Sequence, residues 1–144
     1  MTESHIPSEL RRLVIARAGN SCEYCRYPGR YSPQSLSLDH LVPRKTGGES
    51  SAANLALSCQ GCNSHKAVRT EAPDPATGVN VRLFNPREER WRDHFAWSLD
   101  HLRIIGLTRN GRATVEALQL NREGLVNVRR VLYAVGEHPP QEPD

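Results

Sequence analysis

LSLDHLVPRKTGGESSAANLALSCQGCNSHK, residues 36–66, holds most of the information on the fold of this chain. Its first residues alternate apolar and polar side chains, which predicts a short strand over residues 36–41. The strand is expected to end at Pro43, and the glycines within residues 46–50 predict a turn. Residues 60–68 are predicted to form a short helix. Strand, loop and helix together indicate one small α+β unit.

Two Cys-x2-Cys pairs enclose the strand and the loop. Cys22 and Cys25 form the first pair, Cys59 and Cys62 form the second, and 33 residues separate the inner cysteines. In a reducing compartment such pairs favour metal binding over disulfides, and four thiolates suit a tetrahedral structural Zn²⁺. The spacing exceeds the roughly 15–20 residues of a zinc ribbon, so we expect folded structure between the pairs. Two disulfides or four unrelated thiols are the alternatives.

The overall composition limits the class of protein. A chain of 144 residues with 38% hydrophobic residues and a mean hydropathy of −0.59 suits one domain with a modest core. No stretch approaches the roughly 18 apolar residues of a membrane span, and no secretory signal is visible at the N-terminus. We therefore expect a cytoplasmic protein with no membrane partner. The net charge of +3 permits a nucleic-acid partner without requiring one.

Proline and glycine positions suggest the domain organisation. Pro7 and Gly19 bound a predicted N-terminal helix over residues 7–19. We expect a core over 1–72, a linker over 73–80, an α/β extension packed on the core over 81–136, and a flexible tail over 137–144. In the extension we predict a strand at 103–108, a hairpin-type or strand-to-helix turn at 109–112, and helices at 114–120 and 125–135.

At this point the sequence resembles the HNH endonuclease family. The shared text is CEYC (22–25), LSLDHLVPRKTGGESSAANLALSC (36–59) and CQGCNSHK (59–66), within about residues 20–69. The resemblance implies a ββα-metal (His-Me finger) core clamped by a four-cysteine zinc site, and double-stranded DNA as partner. Asn63 stands where many members have a final His, so the chain resembles the Asp-His-Asn-Asn variants.

The resemblance also implies a role for each motif residue. Asp39 and Asn63 would hold a catalytic Mg²⁺ or Mn²⁺ through oxygen atoms, the ligands that hard cations prefer. His40 would be the general base, since a free imidazole titrates near about pH 6.5. Asn54 would bond loop backbone and hold the His40 ring. Because strand neighbours point to opposite faces, we expect a bend or bulge to bring Asp39 and His40 together.

Other polar residues near the motif have two interpretations each. His65 follows Asn63 by two residues, which rotates it by about 200° on a helix, so we expect a surface residue rather than a ligand. We expect His94 to be packed among aromatic residues with its hydrogen-bonding groups satisfied, rather than to mark a second functional site. The expected phosphate contacts are Arg44, Lys45, Lys66 and Arg69. Four arginines either lie on a solvent-exposed face or extend the line of phosphate contacts, a phosphate track. They are Arg82, Arg87, Arg90 and Arg92.

These observations predict a metal-dependent endonuclease that hydrolyses DNA phosphodiester bonds. The alternative from a different class is a non-catalytic zinc-knuckle nucleic-acid-binding module with the same fold. A disulfide-stapled secreted domain is a third possibility. The oligomeric state, including a homodimer, stays open.

Overall fold

The computed structural model describes residues 6–141, in which short helices and two-stranded hairpins form two units. Unit 1 contains the residues up to Val68 together with Asn85–Glu88, and unit 2 contains Arg69–Phe84 and the residues from Glu89 onward. The predicted α+β class is confirmed. Residues 142–144 of the predicted tail, and residues 1–5 of the predicted core, lie outside the described residues.

Unit 1 consists of an N-terminal helix followed by a hairpin and a second helix. Its elements are α1 (Ser8–Arg17), β1 (Ser37–His40), β2 (Leu55–Ser58) and α2 (Gln60–Lys66). Helix α1 begins after Pro7, whose backbone is extended, and the chain reverses at Gly19, whose φ of +63° suits glycine. The predicted N-terminal helix is confirmed. Val14 is fully buried and anchors α1 in the core of this unit.

Strands β1 and β2 pair antiparallel in a regular one-to-one register. Asp39 lies opposite Ala56, and His40 lies opposite Leu55. The ladder continues past the strands, since the backbone N–H of Leu41 donates to Asn54 O at 2.9 Å. The predicted bend or bulge at Asp39 and His40 is therefore wrong, and the two side chains point to opposite faces.

Strand β2 is the element of unit 1 that the residue pattern does not reveal. Its four residues are all buried, so it lacks the alternation that marks a half-exposed strand. A short apolar run also cannot be distinguished from a buried helix segment by its periodicity. The conformation of β2 is fixed by its pairing with β1 and by Cys59, which directly follows β2.

Unit 2 contains two further hairpins and three helices. Its elements are β3 (Glu71–Pro73), β4 (Asn80–Arg82), α3 (Trp91–His94), β5 (Phe95–Trp97), β6 (Ile104–Gly106), α4 (Arg109–Leu118) and α5 (Glu123–Ala134). β3 pairs with β4, and β5 pairs with β6, both antiparallel. The aromatic rings of Trp91, Phe95 and Trp97 pack at centroid distances of 5.1 Å and 5.5 Å from Trp91.

The segment expected to be a linker contains a closed turn. Residues 73–80 include the last residue of β3, the first of β4 and the connection between them. The Asp74 carboxylate accepts two hydrogen bonds of 2.9 Å from the Arg112 guanidinium, which lowers the pKa of Asp74 below its usual range. Proline and glycine favour a tight hairpin turn as well as a linker, so composition alone does not separate the two.

Helix α4 begins earlier than its sequence pattern suggests. Thr108 is its N-cap, and the Thr108 hydroxyl accepts a 3.0 Å hydrogen bond from the Gly111 backbone N–H. Residues 109–112 are therefore the first turn of the helix, and the prediction of a separate turn there is wrong. Among residues 6–141, every helix is too short or too polar to span a lipid bilayer.

Candidate active site and metal centre

The four cysteine sulfurs form one buried cluster in unit 1. All four Sγ atoms lie within 4.8 Å of one another, and the Sγ atoms of Cys25 and Cys59 are 3.6 Å apart. A tetrahedral Zn²⁺ with Zn–S bonds of about 2.3 Å places its sulfurs about 3.8 Å apart. All four cysteines are free and none forms a disulfide. The donor set and its spacing are consistent with a structural Zn²⁺ on Cys22, Cys25, Cys59 and Cys62.

Each pair of cysteines has the backbone geometry of a metal-binding turn. The backbone N–H of Cys25 points at Cys22 Sγ over 3.4 Å, and that of Cys62 points at Cys59 Sγ over 3.5 Å. Such N–H groups stabilise thiolates. Hydrogen bonds from Cys22, Cys25 and Cys62 also hold the pKa of Cys59 far below its ordinary value. The pKa of Cys22 is also lowered, whereas the pKa values of Cys25 and Cys62 are raised, so two of the four sulfurs favour the thiolate form that a metal ion binds.

The first Cys pair is attached to β2 through the residue inside it. Glu23 donates its backbone N–H to Leu57 O at 2.8 Å, and its carboxylate accepts the Leu57 N–H at 2.8 Å. The other carboxylate oxygen forms a short ion pair with Arg87. Arg87 and Arg17 both donate to Leu55 O, at 3.0 Å and 2.7 Å. Arg87 is thus neither on a solvated face nor on a phosphate track, because it is committed to β2 and Glu23.

Asp39 is buried and bonded to two side chains. Its Oδ2 accepts a 2.7 Å hydrogen bond from the Tyr24 hydroxyl and lies 3.2 Å from Lys66 Nζ, and its Oδ1 lies 3.5 Å from the same ammonium. Asp39 is 4% exposed, Lys66 3% and Tyr24 0%. Burial and the Asp39 carboxylate raise the pKa of Tyr24 well above its usual value. Lys66 was expected to contact a phosphate, but here its ammonium faces Asp39 inside the protein.

The oxygen donors near Lys66 are of the type that a hard cation prefers. Asn63 precedes Lys66 by three residues on α2, a rotation of about 300°, so the two residues share one side of the helix. The structure brings Lys66 to Asp39 directly, whereas Asn63 is partly exposed one turn before it. Asp39 therefore offers carboxylate oxygens, the donor type that a hard cation prefers, and in this structure both oxygens face the Lys66 ammonium.

The His40 ring is held from the loop that joins β1 to β2. His40 Nε2 lies 2.9 Å from Ser50 Oγ, and Arg44 donates to the same hydroxyl at 3.3 Å. His40 is half-buried, while Arg44 is exposed. The His40 ring is thus bonded to the loop, whereas Asp39 is bonded to Tyr24 and Lys66.

Asn54 fixes both ends of this loop. Its Oδ1 accepts from Val42 N at 2.8 Å, and its Nδ2 donates to Val42 O at 3.1 Å and to Glu49 O at 2.8 Å. A Cβ on Gly48 would lie 1.7 Å from Val42 O, so only glycine fits there, whereas Gly47 has a φ of +100°. Gly48 is thus required by the lack of space for a Cβ, and Gly47 by its positive φ. Asn54 does not bond His40 in these contacts, but it holds the loop that carries Ser50, which does.

Comparison with known proteins gives a family match for the segment that holds both Cys pairs. Residues 22–69 match the family model described as HNH endonuclease. This chain contains an HNH endonuclease family domain. No curated protein and no solved structure matches the chain. A domain of this family implies a nucleic-acid substrate and suggests a nuclease.

Within the HNH domain, the remaining candidate residues differ in exposure. Arg44 and Lys45 are exposed on the 3-10 turn Arg44–Thr46, and His65 is exposed on α2, as expected for a residue that faces away from the site. Arg69, at the end of the HNH domain, belongs to unit 2, where it donates to Ala117 O at 3.0 Å.

His94 lies outside the HNH domain and is satisfied by its neighbours. Its Nδ1 is 2.7 Å from Thr108 Oγ1, and its Nε2 is 3.3 Å from the Glu89 carboxylate. Its ring packs 5.7 Å from that of Phe84. These contacts agree with the interpretation of His94 as a packed residue among aromatics.

Sequence reasoning missed three residues that support the HNH site. They are Glu23 and Tyr24, which lie between the first two cysteines, and Ser50 in the loop. The sequence position of Glu23 and Tyr24 could have indicated a supporting role, because residues between two metal ligands are fixed in space by the ligands. Ser50 carries no such signal, since its contact with His40 depends on the fold of the loop.

Proposed function

We propose that this protein is a metal-dependent endonuclease that hydrolyses DNA phosphodiester bonds. His40 is the general base, and Asp39 and Asn63 hold a catalytic Mg²⁺ or Mn²⁺. The four cysteines hold a structural Zn²⁺. The observation that carries the proposal is the hydrogen bond between His40 and Ser50, because it holds a half-buried imidazole at a fixed position in the HNH domain.

In this mechanism the residues of the chain position water and phosphate. His40 accepts the proton of an attacking water at its ring, and Ser50 keeps that ring in one orientation. The exposed Arg44 and Lys45 contact backbone phosphates, which orients the strand for attack. A divalent cation, when bound, supplies positive charge that stabilises the phosphate and the departing 3′ oxygen. Hydrolysis in this way leaves a 5′ phosphate and a 3′ hydroxyl.

The test is a nicking assay on supercoiled plasmid with the zinc-loaded protein in Mg²⁺ or Mn²⁺. We expect His40→Ala to lower the rate by about 10²- to 10⁴-fold, the usual contribution of a general base. His65→Ala is the matched control, because it removes an exposed imidazole from the same domain, and we expect it to nick at the parent rate. A His40→Ala protein that nicks as fast as the parent would exclude His40 as the base.

One observation favours the non-catalytic alternative. The Asp39 carboxylate is already paired with Lys66 and Tyr24, as in a purely structural ion pair. A binding module would retard plasmid in a gel-shift assay and leave it supercoiled with Mg²⁺, Mn²⁺ and every other divalent cation tried. That result would replace the nuclease proposal by the binding module.

A further inference from the structure

A buried ammonium lies where the proposed catalytic cation would bind. Lys66 Nζ is within 3.2 Å of Asp39 Oδ2 and 3.5 Å of Oδ1, so it faces both oxygens of the carboxylate. With side-chain exposures of 3% and 5%, both partners are almost fully shielded from solvent while the pair is formed. The Lys66 side chain therefore both neutralises and covers Asp39.

The second partner of Asp39 has a different effect. Tyr24 donates a neutral hydrogen bond to Oδ2 and is held between Cys22 and Cys25. This bond orients the carboxylate without cancelling its charge. Of the two partners, only Lys66 competes with a cation for the negative charge of Asp39.

Simultaneous binding of the ammonium and a divalent cation is unfavourable. The two would place three positive charges against one buried carboxylate, and repulsion between charges a few ångströms apart is strong where water is excluded. Lys66 is mounted on α2 by four flexible methylene groups, so its ammonium can leave without movement of the helix. Binding of one cation thus requires departure of the other.

We propose that Lys66 is the resident counter-cation of Asp39 and that a divalent cation must displace it, so that Lys66 sets the cation affinity of the HNH domain. This inference rests on the proposed function, because it assigns the divalent cation to Asp39. It adds that the affinity is limited by a residue of the chain itself.

The first test uses the unmodified, zinc-loaded protein. The chain contains two lysines, Lys45 and Lys66, so selective ¹³C labelling of lysine gives two Cε signals. Lys45 is exposed and serves as the internal control. On titration with Mg²⁺ we expect the Lys66 signal to shift and saturate while the Lys45 signal stays in place. A Lys66 signal unmoved at Mg²⁺ concentrations that saturate the protein would overturn the inference.

The second test measures Mn²⁺ binding by electron paramagnetic resonance, without DNA. Lys66→Met keeps most of the stem and removes the charge, and we expect it to tighten Mn²⁺ binding by at least about tenfold. The matched control is Asp39→Asn/Lys66→Met, which differs only in the carboxylate and should lose the site. Zinc content of one per chain verifies folding, and if Lys66→Met fails this check the NMR titration decides.

The outcomes separate this inference from the proposed function. If Mn²⁺ binding depends on Asp39 but the parent and Lys66→Met bind Mn²⁺ equally tightly, only the inference is contradicted. Mn²⁺ binding that survives in the Asp39→Asn/Lys66→Met protein removes Asp39 as a ligand, and the proposed cation site fails with it.

Discussion

At the scale of single residues, the orientation of His40 depends on a serine to which the resemblance assigns no role. Ser50 is ten residues away in sequence, and it reaches the imidazole because Asn54 and Gly48 hold the intervening loop in a tight conformation. Arg44 contacts the same hydroxyl. A side chain that orients a base acts through that base, and removal of residues of this kind commonly lowers activity by about 10- to 100-fold.

Ser50→Ala should therefore slow plasmid nicking by about 10- to 100-fold without loss of zinc. The imidazole loses its fixed partner and spends less time in the productive orientation. Ser51→Ala is the matched control, since Ser51 is the neighbouring serine of the same loop, and it should nick at the parent rate. Equal rates for the two variants would show that Ser50 does not position His40.

At the scale of secondary structure elements, β2 is held by charged side chains in addition to its partner strand. Leu55 O accepts hydrogen bonds from Arg17 and Arg87, and Glu23 bonds both backbone groups of Leu57. The side chains of Arg87 and Glu23 are 13% and 8% exposed. An ion pair this well shielded is strongly destabilised when one partner is removed, because the other charge stays buried.

Arg87→Ala is expected to lower the free energy of unfolding of unit 1 by about 3 kcal/mol, the lower end for a broken buried pair. Urea denaturation of the zinc-loaded protein, followed through tyrosine near-ultraviolet circular dichroism, measures this change. Arg12→Ala is the control, because Arg12 is exposed on α1 of the same unit. The interpretation fails if the two variants unfold at the same urea concentration.

At the scale of the whole molecule, the two units carry different chemistry. All four cysteines belong to unit 1, whereas Trp91 and Trp97, the two tryptophans of the chain, belong to unit 2. Unit 2 has its own buried core, which includes Phe95, Ile104 and Leu118. A small unit that is organised around four thiolates depends on its metal for stability.

Removal of zinc with a strong chelator is expected to unfold unit 1 and abolish nicking. A structural Zn²⁺ contributes about 10–16 kcal/mol to such a site, which matches or exceeds the total stability of about 5–15 kcal/mol of an ordinary domain. The tyrosine circular dichroism of unit 1 should be lost, while tryptophan emission should keep its folded wavelength. Retention of the tyrosine signal after complete zinc loss would contradict the structural role of the metal.

The sequence predicted the local framework of unit 1 but not its side-chain partners. Pro7, the two Cys pairs and the alternation before Pro43 have local causes, so the N-terminal helix, the four-cysteine cluster and β1 were predictable. Strand β2 was implied only by the resemblance to a ββα core, because its own residues are buried on both faces and do not alternate. The partners of Asp39 and of Glu23 were also hidden, since each contact joins residues that are distant in sequence and is created by the fold itself.

The placement of Arg87 also bears on the order in which the chain acquires structure during synthesis. Unit 1 is discontinuous, because it needs residues 85–88, which follow the β3–β4 hairpin of unit 2. A ribosome that has delivered both Cys pairs has still not delivered the guanidinium that neutralises Glu23. Maturation of the HNH-containing unit therefore waits for translation to pass beyond residue 88, and a nascent chain stalled before that point would display an unfinished unit.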